Sequence, residues 1–381
     1  MNVVVLSGAR NNCGDYLIAD RAQRLFDRFL PEANRIMLDR TRPFPEESLR
    51  AMEAADLVVL AGGPLIRGNC AEALNLAETA LSGRLQGMRA SFVIMGGGGK
   101  LPEPFSTGRL KLTEATRILF DKIEASPFYS GTRDFESLVL MRNAGYGNFR
   151  FTGCPALYSP DDRALPVKPF MQDRISTVVF SCGAPGGMCP DAIVQHMKIL
   201  DALRKLMPET KIVAAFHHST DPGEYANVYN GTCPDGWIRL RRQIEATGVE
   251  CADLSGGLDR MLALYSNADL HVGYRVHAHV LMTSWRKPSV LIAEDGRGSG
   301  MADVIAGKVF RAWRYETRRR LPLPSAWCPS RFIVRKRLYD MDVGLQIADY
   351  ISCLDGQVIN TVKTDGSAMA AWFSQFKEIR V

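Results

Sequence analysis

The sequence predicts an α/β protein with two Rossmann-like, doubly wound domains that face each other across a cleft. Short apolar strands alternate with amphipathic helices along both halves of the chain, which is the pattern of a parallel sheet covered by helices on both faces. In each half the first strand leads into a glycine-containing loop, Gly8–Gly14 in the first half and Gly183–Gly187 in the second. The stretch Pro155–Pro169 between the halves is rich in proline, as linkers between domains are.

This linker sets the predicted domain boundaries. Residues 1–160 form the N-terminal Rossmann-like domain, and residues 170–310 form the C-terminal one, which carries the strongest candidates for substrate binding. Residues 311–381 form a basic segment followed by a helical pattern from Val343. We expect this C-terminal helix to pack back on the N-terminal domain.

The elements of the first half are recognised by hydrophobic period. Runs of β-branched and apolar residues that end in glycine or polar residues predict buried strands, here Asn2–Leu6, Arg35–Leu38, Asp56–Leu60 and Ser91–Met95. Apolar residues that recur every three or four positions predict helices, here Asp15–Leu30, Ala71–Leu85 and Glu114–Glu124. The run FYSGTRDFESLVLMRNAG, which ends at Gly145, predicts a strand, a turn and a helix.

The second half repeats the alternation. Its predicted strands are Ser176–Ser181, Lys211–Phe216, Asp269–Val272 and Val290–Ala293. Its predicted helices are Asp191–Leu206, Arg239–Thr247 and Leu258–Ser266, and a further apolar helix begins near His277. Because strands joined through helices pair in parallel, their carboxyl ends are expected to share one edge of the sheet.

Composition excludes several classes of protein. An apolar fraction of 46% and a charged fraction of 23% over 381 residues are ordinary for a globular protein. No apolar run approaches the ~20 residues of a spanning helix, and the N-terminus lacks a signal-peptide pattern, so the expected compartment is the cytoplasm. None of the nine cysteines forms a C-x-x-C pair, and neither a zinc site nor a disulfide framework is predicted.

The charge is unevenly distributed. Between Arg311 and Arg337 lie nine basic residues and one acidic residue, Glu316. Such a segment would attract a phosphorylated or membrane-borne substrate, which would place the protein peripherally at the inner face of the membrane. It is equally consistent with a solvated basic face, and the two interpretations stay open. Nucleic-acid binding is not expected, because no recognised module accompanies the charge.

The most informative stretch is Ser266–Gly300, which predicts a strand, a helix, a second strand and an acidic, glycine-rich turn. Arg275 and His277 lie one residue apart where the first strand opens into the helix. Ligands of open α/β sheets bind at such carboxyl ends. A fixed cation beside a titratable imidazole suits an anionic substrate that must also receive a proton.

Three further constellations are candidates for the same site, and each also has a purely structural interpretation. Gly14 and the helix after it offer backbone N–H groups to an anion, although a capped tight loop with Asp15 at the N-cap explains them too. Arg133 is a candidate anion ligand, with Asp134 as the expected cap of the helix that follows, or one half of a structural Arg–Asp pair at the start of that helix. His218 is a candidate to line the substrate site, and its neighbour His217 points elsewhere on an extended strand, so no shared metal is expected.

The order of these elements resembles the polysaccharide pyruvyl transferase family. The hexapeptide Gly273-Tyr274-Arg275-Val276-His277-Ala278 matches the family signature G-x-R-hydrophobic-H-A. Three weaker matches support it, namely N-x-G-D at Asn12, Gly14 and Asp15, R-D-x-x-S at Arg133, Asp134 and Ser137, and an acid–base–glycine order at Asp295, Arg297 and Gly300. Cys13 stands where family members commonly carry threonine or a similar residue.

The resemblance implies a fold of the GT-B type and transfer of a pyruvyl group from phosphoenolpyruvate to a sugar. The acceptor would be a saccharide or a lipid-linked saccharide of a cell-surface polysaccharide, and the product a ketal. No metal and no cofactor beyond the donor substrate are implied. Arg275 and Arg133 would hold the donor together with Asn12, Gly14, His218, Asp295 and Arg297, and His277 would act as the general acid.

The sequence leaves some questions open. It does not choose between Asp15 and His218 as the acceptor of hydroxyl protons, and it indicates no oligomeric state. One alternative function is a glycosyltransferase of the same architecture that uses a nucleotide sugar, whose diphosphate Arg275 would bind. Another is a catalytically silent subunit that binds saccharide.

Overall fold

A computed structural model describes residues 1–8, 13–99, 110–158, 169–229, 232–255, 257–319, 333–358, 367–377 and 379. The strands are β1 (Asn2–Ser7), β2 (Asn34–Asp39), β3 (Leu57–Ala61), β4 (Ser91–Met95), β5 (Ser130–Thr132), β6 (Phe149–Phe151), β7 (Thr177–Ser181), β8 (Lys211–Phe216), β9 (Glu250–Asp253), β10 (Leu270–Gly273), β11 (Ser289–Ala293), β12 (Val309–Arg311), β13 (Trp313–Arg319) and β14 (Ile333–Tyr339).

The helices alternate with these strands. They are α1 (Cys13–Phe29), α2 (Glu46–Ala54), α3 (Cys70–Ala73), α4 (Ala77–Leu81), α5 (Arg84–Gly87), α6 (Glu114–Glu124), α7 (Phe135–Asn143), α8 (Pro190–Leu206), α9 (Pro222–Tyr229), α10 (Asp235–Glu245), α11 (Leu258–Ser266), α12 (Val276–Ser284), α13 (Gly296–Ser299), α14 (Val343–Ser352) and α15 (Ser367–Ser374). Within the described ranges, none of them is long and apolar enough to cross a membrane.

The first half is built on a parallel four-stranded sheet. Its strand order is β2-β1-β3-β4, and β1 lies between its two neighbours with Val3 beside Arg35 and Leu57. The order reverses between β1 and β3, which makes the loop after β1 the switch point of this sheet. The short parallel pair β5–β6 continues from β4 through a bridge between Gly97 and Thr132.

The second half is a parallel six-stranded sheet in the order β12-β11-β10-β7-β8-β9. Counted from its first strand, this is the order 3-2-1-4-5-6 of Rossmann folds. The switch point lies between β7 and β10, which pair directly through Ser181 and Gly273. The predicted fold class, an α/β protein with two doubly wound sheets, is confirmed.

Some elements differ from the sequence prediction. The single helix expected over Ala71–Leu85 is three short helices, α3, α4 and α5, because Asn75 and Gly83 adopt left-handed conformations with φ of 56° and 81°. Strands β9 and β12 and the antiparallel hairpin β13–β14 were not predicted. The hairpin contains much of the basic segment, so part of that segment is regular structure.

The two halves are held together by apolar packing around α1. The first turns of α1, including Cys13 and Leu17, share a core with Met261 of α11 and Val280 of α12. This shared core fixes the amino end of α1 against the second half.

The two C-terminal helices pack on different halves of the protein. Helix α14 packs on α8, whereas α15 packs on the first sheet. In the latter contact Trp372 and Phe373 cover Val3, Val5 and Phe26 and are fully buried.

Candidate functional site

The candidate site lies where the switch points of the two sheets meet. Helix α1 follows β1, α12 follows β10, and both therefore begin at the strand ends where α/β proteins bind ligands. Gly14, in the first turn of α1, lies against the ring of His277 in the first turn of α12. A Cβ atom built on Gly14 would lie 1.9 Å from His277 Nδ1. Only glycine permits this approach.

Four arginines surround this contact, Arg40, Arg133, Arg275 and Arg297. Each comes shortly after the carboxyl end of a parallel strand, respectively β2, β5, β10 and β11. Arg133, Arg275 and Arg297 act electrostatically on His277. Arg40 acts on Asp15 together with the same Arg275 and Arg297. Positions far apart in sequence therefore form one cluster of positive charge. Such a cluster suits an anion with more than one charged group.

Arg275 is held by the second sheet. Its backbone N–H donates to Ser181 Oγ at 3.1 Å, and its guanidinium Nη2 lies 3.2 Å from His218 Nδ1. Burial and the charges of Arg275 and Arg297 lower the pKa of His218 to about 2. His218 is therefore neutral at physiological pH and accepts from the guanidinium. The two residues predicted to bind substrate are adjacent, and one orients the other.

Arg133 is almost completely buried, with 2% of its surface exposed. Its backbone N–H donates to Gly97 O at 2.8 Å, and Nε lies 3.2 Å from Asp134 Oδ2. Asp134 also caps α7 by accepting from Ser137 N at 2.7 Å, as the sequence predicted. The Nη2 atom of Arg133 is buried, and no described residue accepts a hydrogen bond from it. A buried donor without an acceptor costs about 1–3 kcal/mol, which a bound anion would offset.

Arg297 and Asp295 bind each other. Arg297 Nη2 lies 2.6 Å from Asp295 Oδ2, and the backbone N–H of Arg297 donates to Asp295 Oδ1 at 2.9 Å. Both were predicted to bind substrate. The structure brings them to the site as a pair, in which Asp295 fixes the guanidinium and caps the short helix α13.

Arg40 was missed by sequence reasoning. Its Nη1 donates to the carbonyl oxygens of Ala61 and Gly62 at 3.2 and 2.9 Å, and the side chain is buried. A Cβ atom on Gly63 would lie 2.5 Å from Arg40 Nη2, so the glycines after β3 make room for this guanidinium. The signal was a basic residue directly after a predicted strand, but one sequence does not show which strand ends meet.

His277 is poised as a neutral imidazole. Burial lowers its pKa to about 3, and the charges of Arg133, Arg275 and Arg297 act in the same direction. Its Nε2 atom is buried and has no hydrogen-bond partner within the described part of the chain. The ring therefore lies against Gly14 on one side, and the hydrogen-bonding capacity of Nε2 is unmet by the described residues.

Two carboxyl groups in the cluster titrate near neutrality. Burial raises the pKa of Asp15 to about 6, although Arg40, Arg275 and Arg297 oppose the shift. Burial raises the pKa of Glu294, at the end of β11, to about 7, against the effect of Arg275 and Arg297. Glu294 was not among the predicted site residues, because an acid at the end of a strand resembles an ordinary turn. Groups with these pKa values can exchange protons at physiological pH.

The start of α1 differs from the prediction. Helix α1 begins at Cys13, so Asp15 lies in its first turn and is not the N-cap. The buried thiol of Cys13 lies 3.1 Å from His217 Nδ1, whose Nε2 lies 2.8 Å from the hydroxyl of Tyr265. Burial raises the pKa of Cys13 to about 12, so this chain of contacts is structural. Asn12, predicted to bind substrate, lies outside the described residues.

Among the residues that the structure describes, no three His, Cys, Asp or Glu side chains gather as ligands. The arrangement provides fixed guanidinium donors, the two neutral imidazoles of His218 and His277, and two carboxyl groups that titrate near neutrality. This set can bind a small multiply charged anion and transfer protons to or from it.

Sequence comparison points to one family. The family model described as polysaccharide pyruvyl transferase matches residues 12–296, about three quarters of the chain. The matched segment contains Asp15, Arg133, Arg275, His277 and Glu294. No curated protein sequence matches the chain.

Solved structures show the same fold. UDP-GlcNAc 2-epimerase from Methanocaldococcus jannaschii superposes with a TM-score of 0.55 at 10% identity, over 99% of both chains. A putative UDP-N-acetylglucosamine 2-epimerase from Listeria monocytogenes gives 0.54 at 11% identity, over 100% of this chain and 97% of the other. The enzyme from Neisseria meningitidis gives 0.50 at 11% identity, over 98% and 100%. These are folds of the GT-B type, and at such identities they establish the fold alone.

Replacing Gly14 by alanine tests the contact between the two switch points. We expect Gly14→Ala to lower the stability by ~1–3 kcal/mol, as overpacking does, because the new methyl group overlaps His277. Gly87→Ala is the matched control, since it also lies in a helix and a Cβ atom there has no neighbour within 4 Å. The control should be neutral or slightly stabilising. Thermal unfolding measures both, and equal melting temperatures for Gly14→Ala and wild type would contradict the contact.

Proposed function

The chain belongs to the polysaccharide pyruvyl transferase family, and we propose that it transfers a pyruvyl group from phosphoenolpyruvate to a sugar of a cell-surface polysaccharide or its precursor, forming a pyruvate ketal. The observation that carries this proposal is the cluster of four arginines around His277 and Asp15. Arg133 Nη2 and His277 Nε2 are both buried there, and neither has a partner among the described residues. A small anion with several acceptor atoms would satisfy both.

Phosphoenolpyruvate matches the charge of this cluster. It carries a carboxylate and a phosphate, and two separate anionic groups need two or more fixed cations. Arg275 and Arg297 belong to the second half, whereas Arg133 and Arg40 belong to the first. A donor between them would be bound from both sheets at once. We assign Arg275 and Arg133 as direct ligands, with Arg297 and Arg40 contributing to the positive potential.

His277 is the proposed general acid. Protonation of the methylene carbon C3 makes C2 electrophilic, so that a sugar hydroxyl can attack C2 before phosphate leaves. The low pKa of His277 belongs to the site without an anion, where three arginine charges oppose the imidazolium. The charges of bound phosphoenolpyruvate offset those arginines and raise the pKa of His277. His277 therefore takes up a proton more readily when its substrate is bound.

The acceptor is a saccharide or a lipid-linked saccharide in this proposal. Asp15 and His218 both lie in the cluster and are candidates to accept hydroxyl protons. With phosphoenolpyruvate as the donor, we propose that the protein acts in the cytoplasm. The basic hairpin β13–β14 is then a candidate for peripheral contact with the inner face of the membrane.

Arg275→Ala tests the donor assignment by calorimetry. We expect phosphoenolpyruvate to bind the wild-type protein saturably. It should bind the variant ~10–100-fold more weakly, because the variant lacks a charge-assisted hydrogen bond to the donor. Arg50→Ala is the control, since Arg50 lies on α2 with 74% of its side chain exposed, and it should bind normally. Binding of a uridine or guanosine diphospho-sugar in place of phosphoenolpyruvate would favour the glycosyltransferase. Binding of saccharide alone would favour the silent subunit.

His277→Ala and His277→Gln test the general acid. Glutamine keeps a hydrogen-bonding group near Nε2 but cannot donate a proton at neutral pH. We expect both variants to lose ~10²–10⁴-fold in kcat while they bind phosphoenolpyruvate within a few-fold of wild type. Phosphate release in the presence of acceptor gives kcat, and calorimetry gives the affinity. Undiminished turnover in either variant would remove His277 from the mechanism.

Proton uptake on donor binding tests the electrostatics of the site. An incoming anion raises the pKa of every acid near it, here His277 from about 3, Asp15 from about 6 and Glu294 from about 7. Binding should therefore take up protons, and affinity should fall as pH rises. Calorimetry at about pH 7.5, where the phosphate of the donor is fully ionised, in two buffers of different ionisation enthalpy measures the uptake. Proton release on binding would contradict this account.

A further inference from the structure

A cleft opens beside the arginine cluster on the side of the second sheet. Its volume is about 580 Å³, within the range of small-molecule sites. One wall is the segment that follows β7, and the other is the hairpin β13–β14. Its lining includes Gly187, Asp191, Glu294, Trp313, Arg337 and Tyr339.

The hairpin wall is fixed directly to Glu294. Trp313 Nε1 donates to the carbonyl oxygen of Glu294 at 2.9 Å, and Arg337 Nη2 donates to the same oxygen at 3.2 Å. The Trp313 and Tyr339 rings are 3.7 Å apart at their centroids, and the Arg337 guanidinium lies 3.7 Å from the Trp313 ring centroid. Tyr339 OH donates to Gly187 O at 3.0 Å, which joins the two walls. The cleft is thus formed before any ligand binds.

The Glu294 carboxylate lies at the boundary between cleft and cluster. It accepts from the backbone N–H of Ala184 at 3.3–3.4 Å, and a Cβ atom on Gly183 would lie 2.5 Å from its Oε1. The charges of Arg275 and Arg297 act on it from the side of the cluster. Glu294 is therefore shared by the proposed donor site and the cleft. Neither Asp15 nor His218 is among the described residues that line the cleft.

We propose that this cleft binds the acceptor saccharide and that Glu294 is the base that accepts the proton of its attacking hydroxyl. The proposal rests on the pyruvyl transfer proposed above. A sugar ring presents C–H bonds on its faces and hydroxyl groups at its edge, so its site needs aromatic surface with charged and polar groups around it. Trp313 and Tyr339 provide the aromatic surface, and Arg337, Asp191 and Glu294 provide the polar groups.

The proton transfers balance with Glu294 in this role. In the first addition the hydroxyl oxygen bonds to C2 of phosphoenolpyruvate, C3 takes a proton from His277, and the hydroxyl proton passes to Glu294. Phosphate then leaves C2 with its bonding electrons, the second hydroxyl oxygen bonds to C2, and the second hydroxyl proton leaves with phosphate. Glu294 returns its proton to His277 through solvent. Burial raises the pKa of Glu294 to about 7, and a bound donor raises it further, so the ionised fraction of Glu294 is the species that accepts this proton, as a stronger base than an ordinary carboxylate.

The residues that line the cleft come partly from the segment that matches the family and partly from beyond it. The family match covers residues 12–296, which includes Glu294 and the arginines at positions 40, 133 and 275. Trp313, Arg337 and Tyr339 lie beyond it. The proposed donor residues and base thus belong largely to the matched segment, whereas the hairpin that would contact the saccharide does not. We infer that the hairpin contributes to acceptor selectivity.

Two variants and a panel of methyl pyranosides test the proposal. Binding of each glycoside to the protein saturated with phosphoenolpyruvate is measured by saturation-transfer NMR, and turnover by phosphate release. We expect Trp313→Ala to raise KM for the accepted glycoside at least ~10-fold and Glu294→Gln to lower kcat ~10²–10³-fold with KM changed less than about threefold. Phosphoenolpyruvate affinity, measured separately by calorimetry, should remain within a few-fold of wild type in both.

Controls separate this proposal from the donor assignment. Tyr315 lies on the same hairpin, is 40% exposed and is not among the residues that line the cleft. The control variant Tyr315→Ala should therefore leave KM unchanged. If the wild-type protein does not bind phosphoenolpyruvate, the proposed function itself is contradicted. Failure of every pyranoside to bind, or equal binding by Trp313→Ala, would overturn the acceptor cleft. A full loss of kcat in Asp15→Asn with normal kcat in Glu294→Gln would overturn the base.

Discussion

The contact between the backbone of Gly14 and the ring of His277 is the constraint on which the rest of the site depends. It brings the switch points of two sheets within van der Waals distance, so that side chains after β2 and β5 share one space with those after β10 and β11. Four like charges in that space repel one another. The apolar packing of the first turns of α1 against α11 and α12 opposes this repulsion. The absence of a side chain at Gly14 is what permits the approach.

The same arrangement leaves hydrogen-bonding groups and charges of the site unmatched by the described residues. The buried donor Arg133 Nη2 and the buried Nε2 of His277 have no partner among the described residues, and the imidazole is held neutral by burial and arginine charges. Asp15 and Glu294 compensate only in part, because burial raises the pKa of both. Strain of this kind is expected at functional sites. An anion would accept hydrogen bonds from the donors and raise the pKa values of the imidazole and of both carboxyl groups, so binding and acid–base chemistry have one electrostatic origin.

Local sequence patterns predicted the parts of the molecule that local forces determine. Strand and helix alternation, the Asp134 cap of α7 and the Arg275–His277 junction all depend on residues near one another in the chain, and all are present. The long helix over Ala71–Leu85 was wrong, because apolar period does not reveal left-handed turns at Asn75 and Gly83. Arg40 and Glu294 could not be predicted, since their importance comes from which strand ends meet, a property of the assembled fold. The roles of the predicted site residues stay predictions.

A structure of the protein crystallised with phosphoenolpyruvate tests the central claim most directly, because that claim concerns where the donor binds and through which atoms. This account predicts ligand oxygens within hydrogen-bonding distance of Arg133 Nη2 and the Arg275 guanidinium, with the ligand beside His277 Nε2 and Gly14 still against the imidazole ring. Density for the donor at another place, with Arg133 Nη2 and His277 Nε2 still without partners, would contradict it.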